Sequence, residues 1–131
     1  MLSKVKYNTF INLSNHNTKL WNEKQLVTAR GYLTDDGKII DLAFPRISTQ
    51  TNSNQITQLV IEYAEKIMQY DKPIVMLQGE FVFTYRLVCK LKEMGIKVVS
   101  SCSERKSVEE INEDGTVTKK SVFDFAGFRE Y

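Results

Sequence analysis

Short apolar runs alternate with longer amphipathic segments along most of the chain. Apolar residues spaced i, i+3, i+4 and i+7 over residues 56–68 predict a helix that ends before Pro73. A second apolar stripe of helical spacing covers residues 80–94, and Gly95 suits the position just after its last turn. Four apolar runs predict buried strands, at residues 9–14, 38–42, 74–77 and 97–101.

The remaining segments carry capping and turn signals. Residues 1–8 are polar and basic, and we expect them to be a frayed lead-in. Asn22 is expected to cap a short helix that runs to about Arg30. Residues 35–37, Asp-Asp-Gly, predict a turn. Near the C-terminus, an Asp-Gly turn at 114–115 predicts a hairpin.

The order of these elements predicts the fold class. Strands and helices alternate through the first four strands, and two further strands follow. This pattern is typical of an α/β, Rossmann-like three-layer domain with a mainly parallel sheet and a C-terminal antiparallel hairpin extension. A length of 131 residues fits one domain over residues 1–131.

Charge and cysteine content narrow the function classes. The net charge is +2, which argues against a protein that coats long nucleic acid. Cys89 and Cys102 form no CxxC pair, and the single histidine leaves no set of metal ligands, so neither a metal nor a cofactor is expected. Free thiols suit a reducing compartment, and no apolar run approaches a membrane span. We therefore expect a soluble cytoplasmic protein without a membrane partner.

Three polar loops are expected at the carboxyl ends of the parallel strands, where ligands bind in open α/β sheets. They cover residues 14–17, 78–80 and 101–105. Their hydroxyl, amide, imidazole and guanidinium groups could hold a ligand that carries phosphate. No single loop would suggest this, but their convergence on one edge of the sheet favours a binding site.

Each candidate residue also has a structural interpretation. His16 could be a general acid or base, or it could cap a neighbouring backbone group. Arg105 could grip phosphate with its planar fork, or it could form a surface ion pair. Gly79 would let a ligand approach closely, whereas Glu80 could simply favour the first turn of a helix. The Thr84 hydroxyl could reach a ligand, but a packing role is more common.

Trp21 and the C-terminal aromatic residues leave similar alternatives open. Trp21 could stack on a base, although a lone tryptophan beside a helix start is more often a core anchor. The aromatic side chains of the last nine residues are expected to cover a sheet edge or to form a dimer contact.

Several of these motifs together resemble a family of small CRISPR-associated proteins. They are FINLSNH at 10–16, Trp21 with Gln25, Gly-Glu at 79–80 with Thr84, SCSER at 101–105 and FREY at 128–131. That family is similar to the CARF-like ring nucleases, which are Rossmann-type homodimers that bind cyclic oligonucleotide signals of antiviral defence. Some of those proteins cleave the signal, and related phage-borne proteins sequester it as sponges.

The resemblance implies a nucleotide-binding site and assigns residues to it. The implied ligand-binding residues are Ser14, Asn15, His16, Gly79, Glu80, Thr84, Ser103 and Arg105. This chain departs from the expected motif in having Asn17 and Thr18 in place of a proline-serine pair, and in its long polar loop at residues 48–54.

The three polar loops and the family resemblance lead to the same functional expectation. The protein is expected to bind a cyclic nucleotide-type or ADP-ribose-type immune signal as a homodimer. It would sequester the signal or cleave it slowly without metal, as a ring nuclease with His16 and Arg105 as catalytic residues. The alternative is a non-catalytic protein-interaction module on a Rossmann-like fold.

Overall fold

The helices and strands follow the apolar pattern over most of residues 5–131, the part of the chain that the computed structural model describes. The strands are β1 (Tyr7–Ser14), β2 (Leu33–Asp41), β3 (Pro73–Gln78), β4 (Lys97–Ile111) and β5 (Val117–Glu130). The α-helices are α1 (Glu23–Arg30), α2 (Ser53–Met68) and α3 (Phe81–Glu93), and a short 3-10 helix covers Thr18–Leu20.

Two helices begin at asparagine capping boxes. The Asn22 side chain accepts a hydrogen bond from the Gln25 backbone N–H at 2.9 Å, and the Gln25 side chain accepts from the Asn22 N–H at 3.0 Å. Asn52 and Gln55 make the same reciprocal pair at the start of α2. Each pair satisfies two backbone donors that have no partner within the helix. The predicted cap at Asn22 is therefore confirmed, and α2 starts a turn earlier than its apolar stripe.

The sheet has the order β2-β1-β3-β4-β5. The first four strands are parallel, and β5 runs antiparallel to β4. An α/β fold with a mostly parallel sheet and a C-terminal antiparallel pair is therefore confirmed, and its layout is consistent with a Rossmann-like fold. Because the chain continues from β1 to β2 on one side and to β3 on the other, the strand order reverses at β1.

Alternate residues of the central strands enter two apolar clusters on opposite faces of the sheet. Ile11 and Leu13 of β1 pack in a cluster with buried residues of α2 and α3. Phe10 packs in the other cluster, together with Trp21 and Ala29. Phe10 is fully buried and contacts the rings of Trp21, Tyr32 and Phe128 at centroid distances between 5.2 and 6.1 Å.

Two expectations for the first half of the chain need correction. Tyr7 and Asn8 belong to β1 and are not a frayed lead-in, because their backbone N–H groups donate to Tyr32 and Lys72. Residues 1–4 lie outside the described residues. The Asp-Asp-Gly stretch at 35–37 is not a turn before a strand but a bulge within β2, since Leu33 pairs with Tyr7 and Lys38 with Thr9.

The largest correction concerns β4. Residues 101–105 are not a loop, because β4 continues without a break to Ile111 and pairs with β5 throughout. The turn at 114–115 is confirmed, with Gly115 at a φ of 84°. Pairing of β3 with β4 reaches only Met76 and Val99, so the rest of the β4–β5 ribbon extends past the sheet. We call residues 103–123 the arm; every side chain in it is exposed.

Candidate functional site

An open pocket of about 810 Å³ lies at the carboxyl ends of β1 and β3, beside β4 and the base of the arm. One wall comes from the segment that follows β1 and continues into α1. The floor and far side come from residues at the end of β3 and the start of α3. The last wall is formed by β4 and β5. This is the edge of the sheet and the point of strand reversal at which ligands bind in open α/β folds.

The wall after β1 is held by a buried amide. Asn12 is 1% exposed, and its Nδ2 donates to the His16 carbonyl at 2.7 Å and to Asp41 Oδ1 at 2.8 Å. Asp41 also accepts hydrogen bonds from the Thr18 backbone N–H at 3.0 Å and from its hydroxyl at 2.6 Å. The Ser14 hydroxyl donates to Asn12 Oδ1 at 2.8 Å. These bonds fix the path of the loop on both sides of His16.

Five of the eight predicted site residues line the pocket: Ser14, Asn15, His16, Gly79 and Ser103. The side chain of His16 is exposed and makes no hydrogen bond with any of residues 5–131, whereas its backbone is anchored. The imidazole is therefore available to a ligand, while the network around Asn12 fixes the position of its Cα.

Gly79 lines the pocket, but packing behind it also requires a glycine. A Cβ at this position would overlap the ring of Phe44. The ring of Phe44 in turn packs edge-on against Phe83 in the core, with centroids 5.3 Å apart. Gly79 was expected to let a ligand approach the backbone closely. The ring of Phe44, a side chain of the protein itself, also makes such a close approach.

Glu80 and Thr84 lie outside the pocket lining. Glu80 caps α3, since its Oε1 accepts from the Phe83 backbone N–H at 2.6 Å. This is the structural interpretation given above. Thr84 is 8% exposed, and its hydroxyl has no hydrogen-bond partner among the described residues. Glu80 thus supports the start of α3, and Thr84 is buried outside the pocket lining.

Arg105 is also outside the lining, but it lies next to it. It is directly opposite Phe123 in the β4–β5 ladder, so the two side chains share a face of the arm. Phe123 lines the pocket, as does Ser103, two residues before Arg105. Arg105 is exposed and forms no ion pair within residues 5–131. Its side chain therefore lies on the same face of the arm as two residues of the pocket lining. Glu104, the preceding residue of β4, points to the opposite face.

Sequence reasoning missed two aromatic side chains on the rim. Phe81 is 90% exposed and Phe123 is 75% exposed, and both line the pocket. Trp21 also lines it, but only 8% of this residue is exposed and its ring packs edge-on against Phe10. Trp21 is thus mainly a core anchor. A phenylalanine is normally expected in the core, so nothing in the sequence indicated that Phe81 would stay exposed. Phe123 belongs to the C-terminal aromatic residues that were expected to cover a sheet edge or to form a dimer contact, not to line the pocket.

The electrostatics of the lining are simple. Among the described residues that line the pocket, His16 carries an imidazole, and none is Lys, Arg, Asp or Glu. Within residues 5–131 no three His, Cys, Asp or Glu side chains are grouped so that they could hold a metal ion.

Residues 8–129 match the model of a family described as the Uncharacterized protein MJ1673 family. The chain belongs to the MJ1673 family. The match spans all five strands and three helices, except for the first residue of β1 and the last residue of β5. No curated protein and no solved structure matches the chain. Among the described residues of this MJ1673 family member, no helix is long and apolar enough to cross a membrane.

Proposed function

We propose that the pocket binds a nucleotide-type signalling molecule, either a cyclic nucleotide or a relative of ADP-ribose. The observation that carries the proposal is the pair of exposed rings, Phe81 and Phe123, on a pocket otherwise rich in hydroxyl and amide groups. Nucleobases stack on exposed aromatic rings, whatever their sequence. Hydroxyls and amides suit base edges and ribose. A volume of 810 Å³ lies in the usual range for small-molecule sites.

Phosphate would be held at the arm side of the pocket. Among the described residues no carboxylate lines the pocket, so a phosphate there meets no direct like-charge repulsion from them. Arg105 lies directly opposite the lining residue Phe123, and its fork can donate two parallel hydrogen bonds to one phosphate. Binding would then draw Arg105 from solvent toward the ligand.

Sequestration or slow cleavage fits this set of residues better than rapid catalysis. A metal-independent ring nuclease would place the ribose 2′-OH in line with its phosphate and take its proton as the bond from O2′ to phosphorus forms. The bond from phosphorus to O5′ would break, the leaving O5′ would take up a proton, and a cation would stabilise the charge that develops on the phosphate. His16 is available for the proton and Arg105 for the charge. However, His16 lines the pocket and Arg105 does not, so the catalytic pair would be completed only when the ligand is bound.

Two finer features belong to the same proposal. A three-layer Rossmann-like arrangement is supported by the two apolar clusters, because α1 contributes to one and α2 and α3 to the other. A cytoplasmic protein is supported by Cys89 and Cys102, which are both free thiols.

The second candidate function is a protein-interaction module. The exposed arm favours it, because an arm whose 21 residues, 103–123, are all exposed has more surface than a small-molecule site needs. The two functions are compatible, because the arm extends past the sheet while the pocket lies at its base.

A ligand screen tests the proposal. The melting temperature should rise with the concentration of a bound nucleotide, so we would screen cyclic mononucleotides, cyclic dinucleotides, larger cyclic oligonucleotides and ADP-ribose. For a hit, Phe81→Ala should weaken binding by about 1–3 kcal/mol, the range for one stacked base. Tyr85→Ala is the matched control, because Tyr85 is 71% exposed on the next turn of α3 but does not line the pocket.

Further variants locate the phosphate and the chemistry. Arg105→Ala should weaken binding by about 1.5–3 kcal/mol, with partial recovery in Arg105→Lys. If the protein cleaves its ligand, His16→Ala should lower turnover by about 10²–10⁴-fold and change affinity far less. Chromatography after incubation with excess protein distinguishes intact ligand from linear product. A screen without any hit, or equal losses in Phe81→Ala and Tyr85→Ala, would contradict the proposal.

A further inference from the structure

The outer edge of β5 is a long row of backbone groups without a strand partner. β5 covers 14 residues and pairs with β4 on one side, and no other strand of residues 5–131 lies beside it. An isolated two-stranded ribbon is marginal in water, and an unpaired edge strand is a template for another strand. The arm therefore has the features of a segment that is completed by a partner strand.

We propose that β5 of two copies of this chain pair antiparallel about a two-fold axis at Val122, which joins the two sheets into one of ten strands. In this register Val122 lies opposite its own copy. Lys120 lies opposite Asp124 of the second copy, and this pair occurs twice. The inference does not depend on what the pocket binds.

Charge complementarity selects this register. The regular part of β5 ends at the bulge after Phe125 and carries three charged residues, Lys119, Lys120 and Asp124. A two-fold axis perpendicular to the sheet leaves every side chain on its own face of the sheet. Only residues whose side chains share a face can therefore lie opposite each other. Axes at residues 119 and 120 would place two lysines opposite each other, and an axis at 124 two aspartates. Of the axes at residues 119–124, only the one at Val122 sets a lysine against an aspartate.

The ion pairs between β4 and β5 within one copy extend this pattern. Lys120 is 3.1 Å from Glu110, and Asp124 is 3.0 Å from Lys106. Pairing of two arms would give a row of alternating charge across four strands, from Glu110 through Lys120 to Asp124 and Lys106 of the second copy. Exposed ion pairs add little affinity, but alternating charges penalise every register that opposes like charges. Val122 is 42% exposed and would supply the apolar centre of the contact.

A second copy suits the arm better than a nucleic acid does. The arm carries four basic and five acidic residues: Arg105, Lys106, Lys119 and Lys120 against Glu104, Glu109, Glu110, Glu113 and Asp114. A nucleic-acid surface would need an excess of positive charge. A surface of mixed charge that complements itself is what an isologous contact requires.

The pairing would also place the two pockets together. Because the axis is normal to the sheet, both copies of Phe123 lie on the same side, and each is opposite Ser121 of the other copy. Each pocket would therefore lie beside the junction. This consequence, unlike the pairing itself, rests on the proposed function: a ligand with two-fold symmetry could then contact both pockets.

Cysteine cross-linking tests the register directly. In a Cys89→Ser, Cys102→Ser background, Val122→Cys should cross-link to a dimer under mild oxidation, because the two thiols would lie opposite each other. Lys119→Cys is the matched control, since position 119 would lie opposite Phe125. Light scattering on the unaltered protein without ligand should give the mass of a dimer. A monomer mass up to high micromolar concentration, or equal or faster cross-linking at position 119, would overturn the proposal.

A charge swap provides a second test that does not use cysteine. Asp124→Lys should raise the dimer dissociation constant at least tenfold, because it opposes Lys120 with a lysine. Adding Lys120→Asp should restore dimerisation, although the double variant breaks more ion pairs within each arm than the single one does. Sedimentation velocity gives the constants, and circular dichroism checks that each variant is folded. A double variant that dimerises no better than Asp124→Lys would count against the register.

Discussion

The two sides of the pocket are built in opposite ways. The side after β1 is held by Asn12, which is almost fully buried, and by the carboxylate of Asp41. The arm side is an exposed two-stranded ribbon whose cross-strand ion pairs have side chains that are 44–75% exposed. The hydrogen bonds of the buried Asn12 amide fix the geometry of the side after β1, whereas exposed ion pairs contribute little. One side of the pocket is therefore preorganised, and the order of the other depends on what lies against it.

This difference suggests a division of roles. The preorganised side places His16 and the polar groups around it before a ligand arrives. The arm side carries Phe123 and, opposite it in the ladder, Arg105. The contribution of these two residues to binding should therefore change when a ligand or a second copy lies against the arm. Segments with few buried contacts are the ones that open at low free energy.

The largest effect should come from the core beneath the preorganised side. Phe10→Ala should lower the free energy of unfolding by about 3–5 kcal/mol, because it leaves a cavity among the rings around it. Phe123→Ala in the arm should change it by less than about 0.5 kcal/mol, as expected for an exposed side chain. Urea unfolding followed by circular dichroism gives both values. Comparable losses in the two variants would show that the arm is part of the core.

A smaller effect is expected at Asp41. Asp41→Ala removes the acceptor for Asn12 and Thr18. Because Asp41 is exposed and water competes for these bonds, the loss should cost about 0.5–1.5 kcal/mol of stability, and it should loosen the loop that carries His16. Asp35→Ala is the control, since Asp35 is an exposed aspartate in the same strand. Unfolding curves and amide exchange of residues 14–18 measure the two effects. If the amide exchange of residues 14–18 were the same in Asp41→Ala as in the unaltered protein, Asp41 would not be the anchor of the loop.

The arm, whose Lys106 pairs with Asp124 at its base, and the core of the domain should also respond differently to pH. Lys106 lowers the pKa of Asp124, so the stabilisation is present above the ordinary aspartate value of about 3.9 and is lost as the pH falls below it. Burial raises the pKa of Tyr63 and Tyr131, so their stabilisation is present below about 10 and is lost as the pH rises further. Asp124 also raises the pKa of Lys106, so the same ion pair is lost again as the pH rises above the ordinary lysine value. Amide exchange should therefore show the arm opening first in acid, and both the arm and the core weakening in alkali. An arm that keeps its protection in acid while the core opens would contradict the assignment.

The smallest effect is expected at Thr84. Its buried hydroxyl has no partner among the described residues, so Thr84→Val should leave the unfolding free energy unchanged or raise it by up to about 1 kcal/mol. Ligand affinity should not change, because Thr84 does not line the pocket. Thermal unfolding and calorimetry check the two statements. A clear loss of affinity would return Thr84 to the site.

The buried parts of the fold could be predicted because their residues repeat with the period of their element. The stripe at residues 56–68 and the run at 74–77 each correspond to an element of the structure. Asn22 was predictable as a cap because an asparagine preceding a helix has a specific hydrogen-bonding role.

The arm was not predictable in the same way. All its side chains are exposed, so no apolar face repeats with a period of two, and residues 101–105 resemble a polar loop. The position of Arg105 opposite Phe123 depends on the pairing of β4 with β5, which the local sequence does not show. The exposure of Phe81 and the packing of Phe44 against Gly79 depend on tertiary contacts, which no local pattern encodes.

The most direct test of the nucleotide site uses Trp21, which is the only tryptophan in the chain and lines the pocket. Its fluorescence should change saturably as a cyclic oligonucleotide, a cyclic dinucleotide or ADP-ribose is titrated in. The half-saturation concentration should rise in Phe81→Ala and stay unchanged in Tyr85→Ala. Free N-acetyltryptophanamide corrects for absorption by the bases. Fluorescence that does not saturate with any of these compounds would contradict the account.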